Sequence, residues 1–234
     1  MPTRTQPVTV QDGEFDLHLW IPARGHGPGL LLLQEIHGVG DYIRAVAEDL
    51  AGLGYVVGAP DLFWRLERNW TADHGEEGLS RALAMGGRFD VATGVDDSAA
   101  AFETLASLPE VAGGTGVVGF CLGGSLAYVL AARTTPSVVL SFYGSAVPDS
   151  LDLLDRITSP VQFHFGGRDE FIPREKVAAV ERAVAGRPGM EIHVQESAGH
   201  AFHNFKSARF HDAEAARTAW PLATGFLARH LPAA

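Results

Sequence analysis

From Val111 to Ala132 the sequence VAGGTGVVGFCLGGSLAYVLAA carries no charged residue. A stretch of that length could cross a bilayer as one helix. Its six glycines argue against this, because glycine weakens a helix interior. The stretch reads instead as a buried strand (TGVVGF), a tight glycine turn around Cys121 and a buried helix (GGSLAYVLAAR). A strand and a helix this apolar need cover on both sides, which the interior of a layered α/β fold supplies.

Other apolar runs follow the same pattern. Leu30 to Leu33 in GPGLLLLQEIHG, then YVVGAPDLF, PSVVLSFYG, SPVQFHFGGRDEFIP and MEIHVQ, read as strands that end in loops. PVTV and EFDLHLWIP alternate apolar and polar residues and predict an early antiparallel pair. Residues 41–53, 90–107 and REKVAAVERAVAG read as helices, as do residues 211–230, with a bend expected at Pro221. Residues 62–75 mix Trp64, Arg65, Glu67, Arg68, Asn69, Trp70 and His74 without periodicity and read as a long loop or partial lid. Strands alternating with helices predict a mostly parallel central sheet flanked by helices on both faces. The 234 residues fit one domain of this kind, spanning 1–234.

The formal net charge of −10 and the lack of a Lys/Arg cluster argue against a nucleic-acid partner. A single cysteine excludes an internal disulfide framework and any multi-cysteine zinc site. A lone thiol and an N-terminal stretch without an apolar core predict a cytoplasmic protein with no secretory signal and no membrane partner. The ten histidines show no HExxH-type spacing, so no metal is expected. A monomer or a small homo-oligomer is expected.

In a parallel α/β sheet, functional side chains gather beyond the carboxyl ends of the strands. Glu35, Cys121, Asp169 and His200 all have that position. In GFCLGG the small neighbours Gly119, Gly123 and Gly124 suit a sharp strand-to-helix turn that exposes a nucleophile. A helix N-terminus behind the thiol favours its thiolate, and the N–H of Leu122 is one candidate oxyanion donor. A buried structural cysteine is the competing reading of this segment. Asp169 in GGRDEF can orient a histidine, with Glu170 as a close competitor. His200 in ESAGHAFHNF is the candidate base, and His203 the alternative. The order Cys121, Asp169, His200 is the nucleophile–acid–histidine order of α/β-hydrolases. Glu35 in LLLLQEIHG follows a buried strand, where an acid is costly without a partner or a task. The N–H of Ile36 is then the second candidate oxyanion donor.

QEIHGV (34–39), APDLF (59–63), GFCLGG (119–124), GGRDEFIP (166–173) and AGHAF (198–202) together resemble the dienelactone hydrolase family. The resemblance implies an α/β-hydrolase fold and a triad of Cys121, His200 and Asp169. It also implies Glu35 as an accessory acid that helps generate the thiolate, and hydrolysis of a small ester or lactone without metal or cofactor. Members that bind an anionic dienelactone use arginines for its carboxylate. One of those arginines corresponds to Asn204 here; the other belongs to the region of Arg81, although a gapless match puts Leu79 there. The position after the histidine, often serine, holds Ala201. His37, Phe63, Trp64, Trp70, Arg81, Phe202 and Asn204 are the candidate substrate contacts. A neutral ester or lactone is the expected substrate. A dienelactone hydrolase acting on carboxylated lactones, another thiol enzyme such as a peptidase or acyltransferase, and a catalytically weak thiol sensor on the same fold are the alternatives.

Overall fold

The computed structural model describes residues 4–233. Among these residues one eight-stranded sheet runs through the molecule in the order β1-β2-β4-β3-β5-β6-β7-β8. The sequence-expected antiparallel pair is β1 (Arg4–Val10) and β2 (Gly13–Trp20). β2 also runs antiparallel to β4 (Val56–Pro60). From β4 onward the sheet is parallel, through β3 (Gly27–Leu33), β5 (Val111–Phe120), β6 (Val139–Phe142), β7 (Val161–Gly166) and β8 (Met190–Gln195).

Every residue of β3 is buried. Side chains alternate across a strand, so the run Leu30–Leu33 is covered on both faces of the sheet there. The covering helices are α1 (Asp41–Gly52), α2 (Glu76–Gly86), α3 (Val91–Ala106), α4 (Leu122–Ala131), α5 (Arg174–Val184) and α6 (Ala213–His230). Two of them begin at side-chain caps: Asp90 accepts from Thr93 N at 2.7 Å, and Asp212 from Ala215 N at 3.0 Å. The helix expected over 211–230 starts two residues later, at this cap, and continues through Pro221. The charge-free stretch divides as its glycines require, into β5, a turn at Cys121 and α4. No helix among the described residues is long and apolar enough to cross a membrane.

Residues 62–75 are a packed loop, with the helix α2 directly after it. Phe63, Trp70 and Ala72 bury themselves against Ala82 and Met85 of α2, forming a second apolar cluster. Arg65 holds the loop from the other side, with its guanidinium on Asp97 at 2.9 Å and on Asp12. The apolar positions 82 and 85 are one helical step apart, a pattern too short to announce α2 by periodicity.

Candidate active site

Cys121 occupies the junction of β5 and α4 with φ 54° and ψ −113°. A non-glycine residue held there is strained, and the neighbouring glycines allow it. A methyl group on Gly119 would stand 1.9 Å from the carbonyl oxygen of Gly123, and one on Gly123 would stand 2.2 Å from that of Leu33. Only glycine lets the turn close this tightly between β5, β3 and α4. Leu122 opens α4, so its N–H has no partner within the helix.

Three of the strand-end residues come together in a chain of contacts. The sulfur of Cys121 lies 3.2 Å from His200 Nε2, and His200 Nδ1 lies 2.7 Å from Asp169 Oδ2. The other oxygen of Asp169 accepts from the backbone N–H groups of Phe171 (2.8 Å) and Ile172 (3.0 Å). Those bonds fix the carboxylate, which in turn fixes the imidazole. Tyr143 and Phe171 border the His200 ring at 5.1 and 5.0 Å between centroids. Burial pushes the His200 pKa down, but the charges and hydrogen bonds of Cys121 and Asp169 outweigh it and lift the value to about 10. The arrangement favours a proton on His200.

His203, the alternative base, points elsewhere. Its Nδ1 meets the hydroxyl of Tyr42 at 2.8 Å, and burial together with His211 lowers its pKa to about 4. It is a neutral residue of the interior.

Glu35 lies at the end of β3, only 3% exposed. His74 Nε2 donates to its Oε1 at 2.8 Å, and Asn204 Nδ2 donates to both oxygens at 3.0 and 3.1 Å. His37 Nδ1 stands 3.3 Å from Oε1, close enough for an ion pair but without hydrogen-bond alignment. Burial opposes the charge on Glu35, yet His37 and His74 prevail and hold its pKa at about 2. Glu35 is thus a carboxylate with occupied acceptors. No hydrogen bond joins it to Cys121 among the described residues, whereas His200 Nε2 stands 3.2 Å from the sulfur.

A cavity of about 160 Å³ opens over the sulfur. Its walls are Glu35, Ile36, His37, Leu79, Leu83, Cys121, Ser145, Phe171, His200, Ala201, Asn204 and Phe210. A larger one of about 460 Å³ adjoins it, sharing His37, Leu79 and Phe210 and adding His74, Glu76 and Arg209.

Ile36, His37 and Asn204 therefore line the cavity as expected from the sequence, whereas five other candidates do not. Phe63 is fully buried in the second apolar cluster. Trp64 stacks on Phe15 at 5.5 Å and donates its indole N–H to Asp97 at 2.8 Å. Phe202 is fully buried with its ring edge-on to Tyr143 at 5.4 Å. The Arg81 guanidinium lies over Trp70, 5.8 Å from the ring centre, and Leu79 takes the wall position instead. Trp70 itself belongs to the second cluster. Aromatic residues fill cores as readily as pockets, and composition alone does not separate the two uses. Leu79, Leu83, Ser145, Phe171 and Phe210 carry no chemical signature in sequence. His74 is a lone loop histidine that only the fold brings to Glu35.

The sheet order, the cysteine at a strained strand-to-helix turn and the following acid and histidine define an α/β-hydrolase fold. The family model for dienelactone hydrolases matches residues 15–231, and the chain belongs to that family. It is 36% identical to a carboxymethylenebutenolidase of Pseudomonas sp. strain P51, covering 88% of this chain and 87% of that one. Identity to carboxymethylenebutenolidase 1 of Cupriavidus pinatubonensis is 33%, covering 86% of each chain. A solved dienelactone hydrolase-like promiscuous phosphotriesterase from metagenomic libraries superposes with a TM-score of 0.80 at 22% identity, covering 97% of this chain and 98% of that one. The chain is a hydrolase of ester or lactone substrates.

Proposed function

We propose that this hydrolase cleaves small uncharged esters or lactones through a thioester on Cys121. The observation that supports it best is the unbroken line of contacts Cys121–His200–Asp169 at the floor of a cavity, at 3.2 and 2.7 Å. The thiolate of Cys121 attacks the carbonyl carbon, and the carbonyl electron pair moves onto oxygen. The N–H groups of Leu122 and Ile36 hold that oxyanion. Collapse breaks the ester C–O bond, and His200 Nε2 gives its proton to the departing oxygen. Neutral His200 then takes a proton from water, and the hydroxide attacks the thioester carbonyl. The C–S bond breaks, the acid leaves, and thiolate and protonated His200 are restored. Asp169 keeps Nδ1 as the protonated nitrogen throughout. Glu35 fixes the segment that carries Ile36, through its bonds to His74 and Asn204. The walls at Leu79, Leu83, Phe171 and Phe210 suit a small apolar substituent.

The test is intact-mass spectrometry after quenching a p-nitrophenyl acetate reaction. An acetyl adduct on Cys121 is expected, with turnover abolished in Cys121→Ala. Loss of the base in His200→Ala should slow turnover by roughly 10²–10⁴-fold. Wild-type activity in Cys121→Ala overturns the proposal.

A second reading draws on Arg209. Its position in the adjoining larger cavity gives a substrate carboxylate a cation to reach, as a carboxylated lactone would require. Loss of a preference for such a lactone in Arg209→Ala would select this reading.

A further inference from the structure

Glu35, His37 and His74 each direct one ligand atom into the same small volume, all within 4.8 Å of one another. His74 Nε2 is 2.8 Å and His37 Nδ1 3.3 Å from Glu35 Oε1. Donor atoms held by one ion at about 2.0–2.1 Å lie roughly 2.9 Å apart at a right angle and roughly 3.3 Å apart at the tetrahedral angle. The two imidazole rings stack with centroids 4.3 Å apart. The Glu35–His74 and Glu35–His37 separations are those of neighbouring ligands on a single cation.

An independent observation points the same way. His37 is 5% exposed, and neither of its ring nitrogens has a hydrogen-bond partner among the described residues. An imidazole buried with both nitrogens unsatisfied is costly. Its Nδ1 faces Glu35 without the alignment of a hydrogen bond, an orientation that suits a metal between them. Asn204 grips both oxygens of Glu35 from behind and fixes the carboxylate, as outer groups do for metal ligands. The cavity of about 460 Å³ beside His37 and His74 admits the ion and leaves room for water to complete its coordination.

We propose that Glu35, His37 and His74 form a binding site for one divalent first-row cation at the rim of the active-site cavity. Two imidazoles and one carboxylate are a donor set that zinc accepts, and zinc imposes no geometry of its own. On binding, the hydrogen bond from His74 Nε2 to Glu35 breaks, and that proton moves to Nδ1 of the same ring or to solvent. The ion takes no part in the hydrolysis proposed above; it ties the end of β3 to the segment leading into α2.

Tag-free, chelator-stripped protein carrying Cys121→Ala, so that the thiol cannot take the metal, is titrated with zinc chloride in a calorimeter. One ion per chain is expected, with micromolar or tighter affinity. His37→Ala and His74→Ala should each weaken it at least tenfold. Zinc should also raise the unfolding temperature of the parent and not of the histidine variants. Near-UV circular dichroism checks the fold, and His37→Gln or His74→Gln replaces any alanine variant that fails to fold. Absence of binding at millimolar zinc, or an affinity unchanged from the parent in either histidine variant, overturns the site.

Discussion

Asn204 donates both of its amide hydrogens to Glu35, reaching the two carboxylate oxygens at 3.0 and 3.1 Å. A carboxylate can only accept, so the NH₂ end must face Glu35. The opposite end, Oδ1, accepts from the backbone N–H of Lys206 at 3.0 Å. Asn204 thus lines the cavity with no donor left for a ligand. Removing the amide leaves a buried charge short of two bonds. Asn204→Ala should cost about 1–3 kcal/mol of stability, the usual range for unsatisfied buried polar groups. Urea unfolding curves indistinguishable from wild type would contradict this.

The same pairing bears on substrate charge. Glu35 presents a carboxylate to the cavity, and none of the residues lining it is a lysine or arginine. Charge-assisted hydrogen bonds are about twice as strong as neutral ones, so an anion finds no compensation there. The methyl ester of a carboxylated lactone should be turned over with higher kcat/KM than the free acid. Arg81→Ala should leave that ratio unchanged, because its guanidinium covers Trp70. Paired kinetics on the two compounds make the comparison, and a clear preference for the acid would contradict it.

His200 offers a test by pH. Its pKa in the fold is raised from the ordinary 6.5 to about 10. A raised pKa stabilises the fold fully below pH 6.5, and that contribution is lost as pH climbs toward 10. Burial alone would depress the value, and the charge of Cys121 is the largest opposing influence. In Cys121→Ala the imidazole should therefore titrate at clearly lower pH, and its alkaline loss of stability should shrink. Histidine NMR titrations of both proteins measure the midpoint, which should not stay put.

Gly119 supports the turn without touching substrate. A Cβ there meets the Gly123 carbonyl at 1.9 Å, which forces β5 and α4 apart. Gly119→Ala should cost about 1–3 kcal/mol or more, the range for overpacked interiors. It should also reduce turnover by moving Cys121 from His200. Full activity and an unchanged denaturation midpoint would count against this reading of the turn.

The parts legible in sequence are those where chemistry and chain order coincide. Apolar runs ending in a polar residue and a glycine locate strand ends, which is how Glu35, Cys121, Asp169 and His200 stand out. The antiparallel start and the division of the charge-free stretch follow from alternation and glycine content. The cavity walls do not stand out, because Leu79, Leu83 and Phe210 are ordinary apolar residues on segments remote in sequence from Cys121. Trp64 misleads for the opposite reason: its size suggests a wall, while Phe15 and Asp97 hold it half-buried against the core, away from the cavity. The direction of the Glu35 carboxylate depends on His74 and Asn204, contacts that chain order alone does not reveal.

The contact between Cys121 and His200 joins residues 79 positions apart. A ribosome adding about 5–20 residues per second emits the cysteine on the order of ten seconds before the histidine. Through that interval the growing chain holds a thiol without its base. β7, which leads to Asp169, and the loop after β8, which carries His200, both lie on the later part of the chain. On the proposed mechanism, the thiol therefore acquires its reactive setting only near the end of synthesis, and a chain cut short before β8 lacks the base that this mechanism needs.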